Sequence, residues 1–280
     1  MSKVQLGKSE IIIPGTWDEF TPLQLEALAS YSLKQLPVQT FKVYAMLFLL
    51  GLRPGRKVDK TDMERKSGHA EKEDGYEYYH KARRYILTPS QMVQMSHCLS
   101  WMFRMNDSDN SVMLDVKLRR CPYPKISGLH ATLAGPGDGL ERLTYEQFVW
   151  AQAYEQRLAE HPEDMAKLLA CLWHRGKAFD PDRVEDDARI IAELPHAKIV
   201  VMYWLWVGTL NWFTRQFPHV FGGEGDGASG NVFEEQQKII DALANGDVTR
   251  KPAVRQGLLY DTLFTMEQSL VRQQQAAAHR

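Results

Sequence analysis

Cys171 and His174 stand three residues apart in LLACLWHRG, a spacing that lets a thiolate and an imidazole on one helix face a single metal ion. Zinc needs further ligands, and no second Cys/His pair has the usual spacing, so the expected role of Cys171 is a thiol packed against a helix. His69, Glu71, Glu73 and His80 carry the residue types of a metal or acid–base site, but they lie in a charge-rich stretch whose ordinary role is a solvated face. Glu185, Asp186 and Asp187, like Glu163 and Asp164, fall where first turns of helices are expected, and the helix dipole accounts for acidic residues there. Residues 225–230, GDGASG, match the glycine spacing of a dinucleotide loop. That loop needs a buried strand before it, and here the preceding segment reads as helical, with Glu224 and Asp226 set to repel pyrophosphate. A linker is the expectation for this stretch. No metal, cofactor or catalytic residue is expected on these grounds.

The elements that would position any chemistry are mostly helices. FTPLQL (20–25), LTPSQM (87–92) and LTYEQF (143–148) share one pattern. Threonine suits the N-cap and glutamine the third helical position, with apolar residues on either side forming a hydrophobic staple. The pattern reads as three helix starts. The fold class expected is mainly α, a multi-helix globular protein with a small β element around 106–135, where VMLDVKL alternates and KISGLHATLAGPGDG is rich in turn formers. The organisation expected is an N-terminal helical region (1–105) with a charged, exposed insertion at 53–84, then a β- and turn-rich segment (106–140). A helical core (141–221), a glycine-rich linker (222–230) and a C-terminal helical pair (231–280) follow.

The segment 199–213 is the most apolar, yet its run of low polarity is shorter than the ~20 residues that span a bilayer. It reads as a central buried helix, with no membrane association. Tyr203, Trp204, Trp206, Trp212 and Phe213 on it, with Met92, Met95 and Met102 further upstream, form the candidate partner-binding set, because aromatic and methionine side chains dominate adaptable interfaces. The bland role of each is the protein's own core. A net charge of −1 supplies no global attraction to nucleic acid, so contact there would need a local patch. Arg53, Arg56, Lys57, Lys60, Arg65 and Lys66, with Lys81, Arg83 and Arg84, form the basic concentration, which Asp59, Asp62, Glu64, Glu71, Glu73 and Asp74 dilute. Arg53, Arg56, Lys57, Arg83 and Arg84 are its candidate contacts, with Tyr76, Tyr78 and Tyr79 as stacking partners. Cys98, Cys121 and Cys171 form no paired framework, and the first residues lack the apolar core of a signal peptide, so a reducing cytoplasm is the expected location.

GTWDEFTPLQLEALA, LAGPGDGLERLTYEQFVWAQAYEQRL and LLACLWHRGKAFDPDRV together resemble a group of phage and prophage proteins from Bacteroidetes-type bacteria. The matching signature positions are Gly135-Pro136, Asp138-Gly139-Leu140, Thr144 and Phe148. The resemblance covers most of the chain, least at 53–84, and implies architectural roles for those residues. It implies a non-enzymatic protein of tail morphogenesis, a tail assembly chaperone or another minor tail component, whose partners are tail proteins such as the tape-measure protein, acting in the bacterial host cell or associated with the virion tail. Two other classes stay open from the residues: a nucleic-acid-binding or packaging accessory protein, and an enzyme with a dispersed active site.

Overall fold

A computed structural model describes residues 2–7, 9–67, 73–106, 110–128, 131–222 and 232–278. The chain divides into two compact units, Met1–Val116 and Lys117–Arg280.

The first unit opens with an antiparallel hairpin, β1 (Ser2–Leu6) and β2 (Ser9–Ile13). Helices α1 (Pro22–Leu33) and α2 (Val38–Leu49) follow. Next come β3 (Arg53–Val58), α3 (Lys60–Ser67), β4 (Gly75–His80) and β5 (Arg83–Leu87), then α4 (Pro89–Ser96) and a 3-10 turn at His97–Met102. A short pair, β6 (Phe103–Met105) with β7 (Val112–Leu114), closes the unit. Its core gathers around Trp17, whose indole Nε1 donates to Asp115 O at 2.8 Å. Phe20 and Trp101 stack beside it, with ring centroids 6.1 Å apart.

The second unit begins with β8 (Lys125–Ser127) paired to β9 (Thr132–Ala134). Helices α5 (Tyr145–Arg157), α6 (Asp164–Leu172), α7 (Val184–Ala192) and α8 (His196–Gln216) make its body. A short α9 (Pro218–Phe221), then α10 (Val232–Leu243), α11 (Lys251–Gln256) and α12 (Leu259–Ala278), complete it. Trp206 of α8 packs against Phe148 of α5 at 5.8 Å in the core. No helix among the described residues is long and apolar enough to cross a membrane.

The protein is mainly α-helical with small β elements. All three helix starts form capping boxes: Thr21 with Gln24, Thr88 with Gln91 and Thr144 with Gln147. The staple residues of each, Phe20/Leu25, Leu87/Met92 and Leu143/Phe148, are buried. The Gly-Pro-x-Asp-Gly-Leu segment has structural contacts. Asp138 accepts the Cys121 N–H at 2.7 Å. A Cβ at Gly135 would stand 2.7 Å from Tyr123 O.

Three expectations change. The charged stretch 53–84 is not merely an exposed insertion, because it carries a three-stranded antiparallel sheet ordered β3-β4-β5. Gly-Tyr-Glu-Tyr-Tyr-His alternates as a strand should, and its carboxylate, Glu77, is buried and pairs across strands with Arg56 and Arg84, whose side chains stay largely exposed. The C-terminal pair of helices is three, since Gly257 turns out of α11 with an extended backbone before α12 starts. Cys171 and His174 do not share a helix. α6 stops at Leu172, and His174 bridges to Ala134 beside β9. Apart from Gly222, the glycine-rich stretch 222–230 lies outside the described residues.

Candidate partner-binding groove

The uncharged face of α2 carries Gln39, Thr40, Val43, Tyr44 and Leu47, spaced to fall along one side of the helix. Pro89, Met92 and Val93 of α4 face it, and Tyr76 and Tyr78 of β4 close the third side. Together they line a groove of about 560 Å³, within the size of ordinary ligand sites. Gln39 Nε2 donates to Ser96 Oγ at 2.8 Å, and Ser96 Oγ donates to Val93 O at 2.7 Å, which ties α2 to α4. The Tyr78 hydroxyl donates to the Met92 sulfur at 3.2 Å and fixes the floor. Burial, with a smaller contribution from the neighbouring Tyr76 and Tyr44, pushes the Tyr78 phenol up, so it stays a neutral donor. Tyr44 and Tyr76 stand at the rim, 47% and 37% exposed, which leaves their rings available to a partner. α2 buries Phe41, Ala45 and Met46 on its other side.

Among the described residues, the groove's lining offers no carboxylate, imidazole, amine or guanidinium to a bound molecule. It can hold an apolar face, and the tyrosines add hydrogen bonds at its edges. A smaller hollow of about 400 Å³ lies between α10, α11 and α12, and Arg250 and Asp261 line it.

The anticipated partner set separates. Met92 lines the groove, Met95 is half-buried on the same helix, and Met102 is buried at the end of the 3-10 turn. On α8, Trp204, Trp206 and Phe213 are buried and are therefore core, not an exposed strip. The physical reason is that α8 is enclosed on more than one side, since Trp204 and Trp206, two residues apart and so on opposite sides of the helix, are both buried. Trp212 is half-buried, stacked on Tyr260 at 6.0 Å with the Arg119 guanidinium 5.4 Å away. Tyr203 is half-buried, and its hydroxyl donates to Glu155 Oε1 at 3.5 Å. Burial pushes the Tyr203 phenol up to about 12.

Burial also raises the Glu155 carboxyl. The Tyr203 hydrogen bond lowers it again, as does the Trp206 indole from outside hydrogen-bonding geometry, without cancelling the rise. A carboxyl raised in the folded state binds more protons there than when unfolded. Between the ordinary carboxylate pKa and the raised one, stability therefore falls as pH rises. Glu155→Gln is expected to melt higher than the parent at neutral pH and to flatten that slope. Parallel thermal melts from acid to neutral pH check this, and an identical pH dependence in the variant would contradict it.

The other chemical candidates are engaged structurally. Cys171 is buried, its thiol donates to Lys167 O at 3.3 Å, and burial pushes it well up. Glu73 accepts the Ser90 N–H, while His80 Nδ1 lies 2.8 Å from Leu50 O; His69 and Glu71 lie outside the described residues. No group of three or more metal-ligating side chains occurs among the described residues. The acidic first turns are present. Sequence reasoning missed that Asp164 and Asp187 are buried, paired to Arg157 and Lys167 and to Arg175 respectively.

Of the basic set, Arg53, Arg56 and Arg84 share the face of the β3-β4-β5 sheet opposite the groove, as cross-strand partners and through Glu77. Lys57 pairs with Asp74 at 2.6 Å on the other side, and Arg83 donates to Ser9 Oγ at 3.1 Å. Comparison of the chain with protein-family models, with curated proteins and with solved structures finds no match.

Proposed function

We propose that this chain is a non-enzymatic protein of phage tail morphogenesis that docks an amphipathic helix of another tail protein, the tape-measure protein, in the groove between α2, β4 and α4. The observation that supports this reading is the groove itself, an uncharged trough with two partly exposed tyrosines at its rim and a methionine on its floor. Such a surface suits the apolar stripe of a helix, with anchors three, four and seven residues apart. Methionine repacks around different side chains, which suits a long partner presenting many similar stretches. A tape-measure chain carries such stripes and must stay soluble in the host cytoplasm until the tail tube closes around it. The tail assignment rests on the resemblance of GTWDEFTPLQLEALA and LAGPGDGLERLTYEQF to the phage group.

Co-expression with the tape-measure protein of the same genome tests it. The expected result is a soluble complex in which Tyr44→Asp weakens binding about 30-fold, because it removes an aromatic ring from the rim and sets a charge against the partner's apolar face. A tape measure equally soluble and unbound without this chain would end the proposal.

A further inference from the structure

The face of the β3-β4-β5 sheet turned away from the groove has a different chemistry. Register places Arg53 opposite Tyr79 and Tyr79 opposite Arg84, so an arginine, a tyrosine and an arginine form one row across the three strands. The strand spacing of ~4.8 Å starts the two arginine side chains on either side of the Tyr79 position. Tyr79 occupies the central strand and is 40% exposed. Gly55 makes room for its ring, because a Cβ there would stand 2.8 Å from Tyr79 Cε2.

Glu77, two residues before Tyr79 and on the same face, organises this surface. Its side chain is 4% exposed. It accepts from Arg56 Nε at 3.2 Å, from the Tyr79 hydroxyl at 3.0 Å and from Arg84 Nη2. Burial alone would raise its carboxyl; the hydrogen bonds from Arg56 and Tyr79 and the two arginine charges outweigh it and hold it below the ordinary range. One buried carboxylate therefore fixes a ring and two guanidinium groups. Arg53, also exposed, has no ion pair among the described residues. Three guanidinium groups against one carboxylate leave the face positive, although the whole chain carries a net charge of −1. At the far end Met63 of α3 covers Gly75, so the exposed part is confined to the Arg-Tyr-Arg end.

We propose that this sheet face binds single-stranded nucleic acid, with a base stacked on Tyr79 and the flanking phosphates held by Arg53, Arg84 and Arg56. An exposed aromatic on a central strand, flanked by cations, suits an unpaired base and its backbone. An acidic peptide would use the arginines but has no need of the ring. A duplex keeps its base faces inside the stack and cannot reach it. The site is separate from the groove, so each assignment can fail without the other.

Fluorescence anisotropy of the full chain with labelled oligothymidylate and oligouridylate tests it. Binding is expected to weaken about 20-fold between about 50 and 200 mM salt, as three phosphate contacts require. Arg53→Glu is expected to weaken it about tenfold, and among the described residues the Arg53 side chain has no ion-pair partner whose loss would unfold the sheet. Tyr79→Leu should cost about tenfold or more, whereas Tyr79→Phe, which keeps the ring and loses the bond to Glu77, should bind as the parent does. Thermal melts of all three establish that they are folded. The proposal is overturned by no binding at low salt, by unchanged binding of Arg53→Glu, by equal affinity for a duplex of the same length, or by equal displacement with polyglutamate.

Discussion

Gly208→Ala is expected to destabilise the second unit by about 3 kcal/mol, the upper part of the ordinary range for overpacking. Intrinsic preference gives the opposite sign: in a helix interior, alanine is favoured over glycine by about 1 kcal/mol. Packing decides the matter. A Cβ on Gly208 would stand 2.3 Å from Leu118 O and 2.6 Å from Leu118 N. Both are backbone atoms, so no side-chain rotation relieves the clash. Leu118 is itself buried, and its segment cannot retreat without breaking its own packing. The glycine thus lets α8 touch the backbone at Leu118 directly. Urea denaturation of the parent, Gly208→Ala and the exposed Thr214→Ala on the same helix checks this. Thr214→Ala should stay within about 0.5 kcal/mol of the parent. A Gly208→Ala variant as stable as the parent would show that the close approach is not a constraint.

What the residues reveal depends on how far apart the deciding groups lie. The helix starts are legible because Thr21 and Gln24, Thr88 and Gln91, and Thr144 and Gln147 complete their capping boxes within a single turn. The sheet at 53–87 is obscured because its strands are short and rich in Arg, Lys and Glu. The alternation in Gly75–His80 becomes decisive only once Arg56 and Arg84 converge on Glu77. The groove was half legible. Met92 follows from helical spacing on α4, but Val43 and Tyr44 acquire meaning only when Gln39 meets Ser96 across 57 residues of chain. For the aromatic helix, composition fits both a core and an exposed strip. Enclosure of Trp204, Trp206 and Phe213 decides for the core, which no local pattern encodes.

Gln147→Glu and Gln24→Glu are the same substitution at the same position of the same motif, and their expected outcomes differ by several kcal/mol. In the first helix Gln24 is bonded within its own capping box, where Thr21 N donates to Gln24 Oε1 at 2.9 Å in an exposed setting. Glutamate accepts that bond equally well and suits the positive end of the helix dipole, so a change within about 0.5 kcal/mol is expected. In α5 the glutamine has a second task. Its Oε1 accepts from Thr144 N at 3.0 Å, while its Nε2 donates to Cys171 O at 2.6 Å, and the residue is buried. Glutamate loses the donor and turns a carboxylate oxygen toward a carbonyl oxygen in a dry site. Leaving an unpaired charge buried costs about 3–5 kcal/mol. The group can escape by taking up a proton, which restores a donor toward Cys171 O. Burial and the facing carbonyl raise its pKa in the folded state, so the loss should be largest at neutral pH and shrink as pH falls. Chemical denaturation of both variants at neutral and mildly acid pH separates the two settings. Equal behaviour of the two would mean that α6 does not depend on the α5 glutamine, and that the third motif is a helix start and nothing more.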